Sequence, residues 1–208
     1  MDSITATANR SETARKILEA ACEEFAENGL HGARVDQIAR RAGINKAMIY
    51  YHFHSKDELY QKVIEDHLTQ IGNFLELNIP GDHNIDSFLY NMAGFFNLMF
   101  RQRRSFAPIF LRELASGGER VRDAFTRIMS AKGLNKTLLA IIDEGKEKGL
   151  FREIDSTQAM VSFIGMNLYY LLASPVINSV LEIKDEKNFR EKRQKEVVDL
   201  FLYGLKAR

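Results

Sequence analysis

Two short segments, Val35–Ala42 and Asn45–Tyr51, constrain the fold of this chain more than any other feature. Each is too short to be stable as an isolated helix, so tertiary packing must hold both. Between them Gly43-Ile44 supplies a turn, because glycine accepts backbone conformations that side chains disfavour. A longer amphipathic segment precedes them, with Ser11 as a candidate N-cap and Asn28-Gly29 as its stop. The pattern predicts two short helices braced by a longer one, which is the helix-turn-helix arrangement.

Positive charge is concentrated where the two short helices are predicted. From residue 34 to residue 56 the only acid is Asp36, whereas the bases are Arg34, Arg40, Arg41, Lys46 and Lys56. The whole chain carries a net charge of only +1. This value excludes a uniformly basic nucleic-acid binder but is compatible with a local basic patch. Interleaved polar and aromatic side chains suit phosphates, base edges and thymine methyl groups: Asn45, Tyr50, Tyr51 and His52. A merely solvated charged surface is the alternative interpretation.

The remainder of the chain has helical spacing throughout. A long helix is predicted from Lys56 to Leu77, with Ser55 at its N-cap; at about 33 Å it would be long enough to join an N-terminal module to a separate body. After a break at Pro80-Gly81-Asp82 no strand alternation occurs, so we predict an all-α chain. The later helices are expected from Ile85 onward and over Phe106–Ala115, Val121–Ile142, Thr157–Leu181 and Lys187–Lys206. Pro175 predicts a bend or interruption near Ala173-Ser174.

The segment Val35–Leu59, VDQIARRAGINKAMIYYHFHSKDEL, resembles the DNA-binding domain of TetR-family transcriptional repressors. The most specific part is the tyrosine pair with His52-Phe53 and Ser55-Lys56-x-x-Leu59, which follow an Ala-Gly turn. The resemblance implies a DNA-binding domain at residues 10–70, in which three helices read DNA and a fourth connects. It implies a C-terminal domain at residues 71–208 that binds a small molecule and forms a homodimer.

The same resemblance implies DNA contacts at specific positions. Asn45, Lys46, Ala47 and Met48 match the exposed start of the recognition helix, and Tyr50, Tyr51 and His52 match its backbone-contacting end. Lys56 matches a phosphate contact at a helix N-terminus, where free backbone N–H groups also attract a phosphate. Arg34 stands where family members often have Ser or Thr, and it can still reach a phosphate. Ala47-Met48 also departs from the usual pattern, so the base preference of a relative does not carry over.

Aromatic and methionine side chains are concentrated in the predicted body. Such stripes are usually core, but the resemblance implies that some line an effector pocket, and soft methionine walls suit variable ligands. Asn167 lies in the most apolar segment, where an unpaired amide costs about 1 to 3 kcal/mol, so it must bond the backbone, a partner subunit or a ligand. The expected ligand contacts are Phe96, Met99, Phe110, Met166, Asn167 and Tyr170.

Catalytic and metal-binding motifs are absent from the sequence. His52 and His54 lack the further ligands that zinc requires, and no Gly-x-Ser-x-Gly, phosphate-binding glycine loop or His-Glu-x-x-His occurs. We therefore expect no enzymatic activity, no metal and no cofactor. The single cysteine, Cys22, excludes an intrachain disulfide and is expected to be buried. Neither a bilayer-length apolar run nor a secretory signal is found, which predicts a cytoplasmic protein without membrane contact.

Taken with the resemblance, these features predict a homodimeric transcriptional regulator, a repressor in preference to an activator. It would bind a palindromic operator on double-stranded DNA and be released by a small apolar effector. The last two helices are predicted to form the dimer, because a helix that is apolar on nearly all sides needs a partner. Two alternatives stay open: a dimeric small-molecule-binding protein with little specific DNA binding, and an activator with the same fold.

Overall fold

The computed structural model describes residues 2–78, 85–101 and 103–206, and it describes side chains within 12–78, 85–98 and 106–206. Helices joined by short connections make up the described part of the chain, which contains one isolated antiparallel bridge between Phe151 and Lys206 and no strand. The predicted all-α class is therefore confirmed. The predicted break at Pro80-Gly81-Asp82 lies outside the described residues.

The helices in chain order are α1 (Asp2–Gly32), α2 (Val35–Ala42), α3 (Lys46–His52), α4 (Lys56–Asn78), α5 (Ile85–Arg101), α6 (Arg103–Ala115), α7 (Glu119–Ala131), α8 (Leu134–Glu147), α9 (Ser156–Val180) and α10 (Glu186–Leu205). Packing divides the chain into two compact units: Met1–Gln70 with Arg104–Thr126, and Ile71–Arg103 with Arg127–Arg208. The first unit thus includes a segment that the predicted boundary assigned to the second domain. The functional domains 10–70 and 71–208 stay predictions.

The helices differ from the predictions in several details. Helix α1 begins at Asp2, so Ser11 is not an N-cap; the segment before it contains no glycine or proline that would stop a helix. The predicted helix Val121–Ile142 is divided into α7 and α8 at Gly133, whose φ of 66° is left-handed. Helix α9 continues through Pro175, so the predicted alternative of an interruption near Ala173-Ser174 is wrong, whereas a bend there stays a prediction.

The core of the first unit holds the short helices in place. Phe25 of α1, Ile38 of α2 and Ile49 of α3 are almost completely buried. The Phe25 ring meets Tyr60 of α4 edge-on, with 4.9 Å between the ring centroids. Cys22 is buried as predicted, and its Sγ lies 3.7 Å from Nε2 of His67. The burial of Ile38 and Ile49 provides the tertiary packing that helices as short as α2 and α3 require.

The second unit is organised around α9, which contacts α5, α8 and α10. Phe163 is fully buried on α9, and its ring lies 5.0 Å from that of Phe201 on α10. By length and composition α9 would also suit a membrane span, and it is the one helix of the described residues that does. A core helix passes the same test, so this property alone does not distinguish the two.

Candidate nucleic-acid interface

The turn between α2 and α3 is fixed by local hydrogen bonds. Gly43 adopts φ 66° and ψ 33°, a left-handed conformation that favours glycine, and its N–H bonds back to the last turn of α2. Asn45 caps α3, since its Oδ1 accepts a hydrogen bond of 2.9 Å from the N–H of Ala47. The direction of α3 is therefore set by its neighbours in sequence.

Helix α3 is anchored by one buried residue and exposes most of the others. Ile49 is 1% exposed, whereas Met48, Tyr50 and Tyr51 are 39%, 44% and 59% exposed. Scattered exposed apolar side chains are common, but several large ones grouped on one short helix mark a candidate binding surface. Six of the residues predicted to contact DNA are exposed, and their contact with DNA stays a prediction: Asn45, Lys46, Ala47, Met48, Tyr50 and Tyr51.

The basic side chains around α3 are already engaged with acids. Lys46 Nζ lies 2.9 Å from Oδ1 of Asp36, and this carboxylate raises the pKa of Lys46. Arg41 is paired with Glu23, Glu24 and Glu27 of α1. A phosphate must therefore compete with Asp36 for Lys46, while Arg41 is held on the acidic surface of α1.

Glu24 is a structural residue that the sequence interpretation missed. Its side chain is 3% exposed and lies 3.3 Å from Arg41. Its Oε1 also accepts hydrogen bonds of 3.1 Å from Asn28 Nδ2 and from the backbone N–H of Arg34. The signal was its spacing, because Glu24 follows the buried Ala20 and Ala21 by one helical turn. Glu24 fixes the start of α2.

The remaining predicted DNA contacts have different environments. The Arg34 side chain is exposed and makes no capping bond at the start of α2. Lys56 Nζ donates to the carbonyls of His31 at 3.3 Å and Ala33 at 3.2 Å, so it ties the start of α4 to the connection between α1 and α2. Nε2 of His52 is buried without a hydrogen-bond partner among the described residues, so this nitrogen does not face solvent.

A polar brace from α6 and α7, also not foreseen, supports the first unit. Arg112 Nη1 donates to the carbonyls of Phe25 at 3.0 Å and Ala26 at 2.8 Å. Arg120 lies 3.4 Å from Asp57, 3.6 Å from the buried Glu113 and over the ring of Tyr60. Burial and the carboxylate of Glu113 raise the pKa of the Tyr60 hydroxyl above its usual value.

The residues expected to contact an effector lie in both units. Phe110 is half-buried in the first unit beside Phe106, and the side chain of Met99 lies outside the described residues. In the second unit Asn167 Nδ2 donates to the carbonyl of Phe163 at 2.9 Å, which is the backbone option of the three predicted for this amide. The others there are Phe96, which packs against a cluster of Tyr170 and Leu171, and the half-buried Met166.

Comparison with known proteins agrees with this geometry. Residues 17–63 match the family model described as bacterial regulatory proteins, tetR family. The chain is a TetR-family regulator. Over 198 residues this regulator is 29% identical to the HTH-type transcriptional repressor NicS of Pseudomonas putida. The match covers 93% of the chain and 92% of NicS.

Two further comparisons, one of sequence and one of structure, show how far the similarity of this TetR-family regulator to known proteins extends. It is 44% identical over 62 residues to the HTH-type transcriptional activator FasR of Mycolicibacterium smegmatis, a match of 30% of the chain and 28% of FasR. The crystal structure of FadR from Bacillus subtilis in complex with stearoyl-CoA is similar with a TM-score of 0.66 and 22% identity. That match covers 91% of the chain and 98% of FadR, and it shows a shared fold.

Proposed function

We propose that this TetR-family regulator binds a palindromic operator as a homodimer and releases it when a small apolar effector binds. The observation that carries the proposal is the capped helix α3, which exposes Met48, Tyr50 and Tyr51 while one residue, Ile49, anchors it. Exposed side chains on a short helix next to basic residues suit insertion into the major groove.

In this proposal each side chain has a specific role. Arg34, Lys46 and Lys56 bind phosphates, because they carry full charges at helix starts. Asn45, Ala47 and Met48 meet base edges at the start of α3, and Tyr50, Tyr51 and His52 contact the DNA backbone. Lys46 exchanges its carboxylate partner Asp36 for a phosphate when DNA binds.

The homodimer is proposed to form through α9 and α10. Large apolar side chains are exposed on both helices: Val161 on α9, and Leu200 and Tyr203 on α10. Exposed apolar surface of this extent favours association, because desolvation contributes about 25 cal/mol for each Å² buried. A two-fold dimer presents two copies of α3, which requires two half-sites about 34 Å or more apart.

Release by an effector is proposed for the second unit. Phe96, Met166, Asn167 and Tyr170 are its predicted contacts there, and Met99 and Phe110 belong to the same prediction. A protein of the same fold, FadR, was crystallised with stearoyl-CoA. If the effector binds the DNA-free conformation 100-fold more tightly, the coupling amounts to about 2.7 kcal/mol. Repression is preferred over activation because NicS, matched over 92% of its length, is a repressor. A cytoplasmic location follows from this role.

The test is a fluorescence-anisotropy titration of the full chain with DNA from upstream of its own gene. Scrambled DNA of equal length is the control, and the titration is repeated over a series of salt concentrations. Tight, salt-sensitive and sequence-selective binding supports the proposal. Absence of binding at low salt would favour the ligand-binding alternative, and increased transcription from a reporter would favour the activator.

A further inference from the structure

A groove between α9 and α10 contains a cavity of about 410 Å³. Its walls are mostly apolar and aromatic, with Ile177 and Val180 from α9 opposite Phe189 from α10, and Tyr170 beside them. Among the residues that line it, Arg193 carries the only charge. A volume of this size lies within the range of cavities that hold small organic ligands.

Arg193 is a half-buried cation without an acidic partner. Its Nη2 donates to the carbonyl of Met166 at 2.6 Å, and its guanidinium lies over the Tyr170 ring, 5.1 Å from the centroid. No carboxylate among the described residues lies within ion-pair distance of it. Burial lowers the pKa of Arg193, and the Tyr170 hydroxyl opposes that effect, whereas no carboxylate contributes. A guanidinium has five N–H donors, so most of them are left for another acceptor.

The polar side chains that surround the Tyr170 hydroxyl are engaged with each other. The Tyr170 hydroxyl donates to Oδ1 of Asn178 at 2.9 Å, and Nδ2 of Asn178 donates to Glu186 at 3.0 Å. The carboxylate of Glu186 is therefore hydrogen-bonded to Asn178. The cavity therefore combines apolar walls with one positive charge, which is the complement of an amphipathic anion.

We propose that this groove binds a small monocarboxylate with an apolar body, its carboxylate on Arg193 and its body between Tyr170, Ile177 and Phe189. Hydrogen bonds between guanidinium and carboxylate are about twice as strong as those between neutral groups, and partial burial strengthens them further. The site deepens the effector-binding part of the proposed function, on which it rests, because it gives the effector a chemical class and a position.

The experiment is isothermal titration of the full chain, without DNA, with 2-naphthoate and with the neutral 2-naphthamide of nearly the same shape. We expect naphthoate to bind at least tenfold more tightly than naphthamide. Arg193→Gln should weaken naphthoate binding at least tenfold and leave naphthamide unchanged, while Arg193→Lys should retain part of the affinity. Lys195→Gln removes an exposed charge from the same helix and serves as the control. Circular dichroism verifies that the variants fold.

Three outcomes would overturn the proposal. Equal binding of the two compounds to the unsubstituted protein would show that no charge is recognised, whether or not the variants fold. Absence of binding by naphthoate at millimolar concentration would exclude the site. If Arg193→Gln weakened the dimer and naphthoate did not bind the unsubstituted protein, Arg193 would instead pair with a carboxylate of a second copy of the chain. Operator binding by the ligand-free protein is measured separately, so failure here is distinguishable from failure of the proposed function.

Discussion

Helices α3 and α9 both expose large side chains, but the chemistry of their exposed surfaces differs. On α3 the exposed Met48, Tyr50 and Tyr51 are accompanied by Lys46 and His52. Helix α9 contains no charged residue, and its exposed Val161 and Val180 are purely apolar. One surface carries charge, whereas the other is uncharged and exposes several large apolar side chains.

This difference predicts opposite responses to salt. A surface that binds through phosphate contacts releases counterions, so its affinity falls as salt rises. An apolar surface associates because water is removed from it, and kosmotropic salts strengthen such burial. Measurements of operator affinity and of dimer affinity over the same salt series should therefore separate the two surfaces.

The largest effect is expected from a charge placed on the apolar surface of α9. Val161 is 61% exposed and does not line the groove of Arg193. Val161→Glu should raise the dissociation constant of the dimer at least 30-fold, corresponding to about 2 kcal/mol, because a carboxylate would be desolvated in the interface. Sedimentation equilibrium measures this, with Val161→Leu as the control.

Deletion of residues 187–208 would be a less specific test of the same interface. Val198 and Phe201 of α10 are buried in the second unit, so the deletion would also unfold that unit. Should Val161→Glu sediment as a dimer of unchanged affinity, α9 would not be the interface, and the contrast between the two helices would lose its functional meaning.

The next effect concerns Arg41, a base close to α3 that is paired with the acids of α1. Arg41→Ala should lower the free energy of unfolding by about 1 to 2 kcal/mol, because the buried Glu24 would keep only Asn28 and the backbone of Arg34 as partners. Urea denaturation measures the change, and Arg40→Ala is the matched control, with an expected change within about 0.5 kcal/mol. A lower salt slope of operator binding in Arg41→Ala, with unchanged stability, would instead make Arg41 a phosphate contact.

Lys46 should behave differently from Arg41 although both are basic. We expect Lys46→Ala to weaken operator binding about tenfold at low salt and to reduce the salt slope by about 1, because one phosphate contact is lost. The weakening should be nearly uniform across DNA sequences. Fluorescence anisotropy over a salt series measures both quantities, with Lys195→Ala as the control in the second unit. A changed sequence preference with an unchanged slope would contradict the assignment.

The features of the fold that could be predicted from the sequence are those that local signals determine. Gly43 and Asn45 define the turn and the cap of α3 through bonds to residues within a few positions, so the helix-turn-helix could be predicted. Gly133 is an equally local signal, but an isolated glycine is often tolerated inside a helix. The division between α7 and α8 was missed for that reason.

The features that could not be predicted depend on residues distant in sequence. Arg41 pairs with acids of a different helix, and Arg112 donates to carbonyls of Phe25 and Ala26 from α6. The cavity at Arg193 exists only because α9 and α10 pack against each other. Hydropathy spacing identifies the helices but does not specify which of their surfaces meet, so charge pairing and cavities need the structure.

The smallest effect is expected from Asp36, the acid that competes with DNA for Lys46. The pair is solvent-exposed, with 2.9 Å between Nζ and Oδ1, and exposed ion pairs are worth about 0 to 1 kcal/mol. Asp36→Asn should therefore tighten operator binding about threefold at low salt, opposite in sign to Lys46→Ala. A double-mutant cycle identifies the cause: if Asp36 acts through Lys46, the gain must disappear in the Lys46→Ala background. An equal gain in operator affinity in both backgrounds would mean that Asp36 only repels DNA. Lys46 would then bind phosphate without first breaking its ion pair with Asp36.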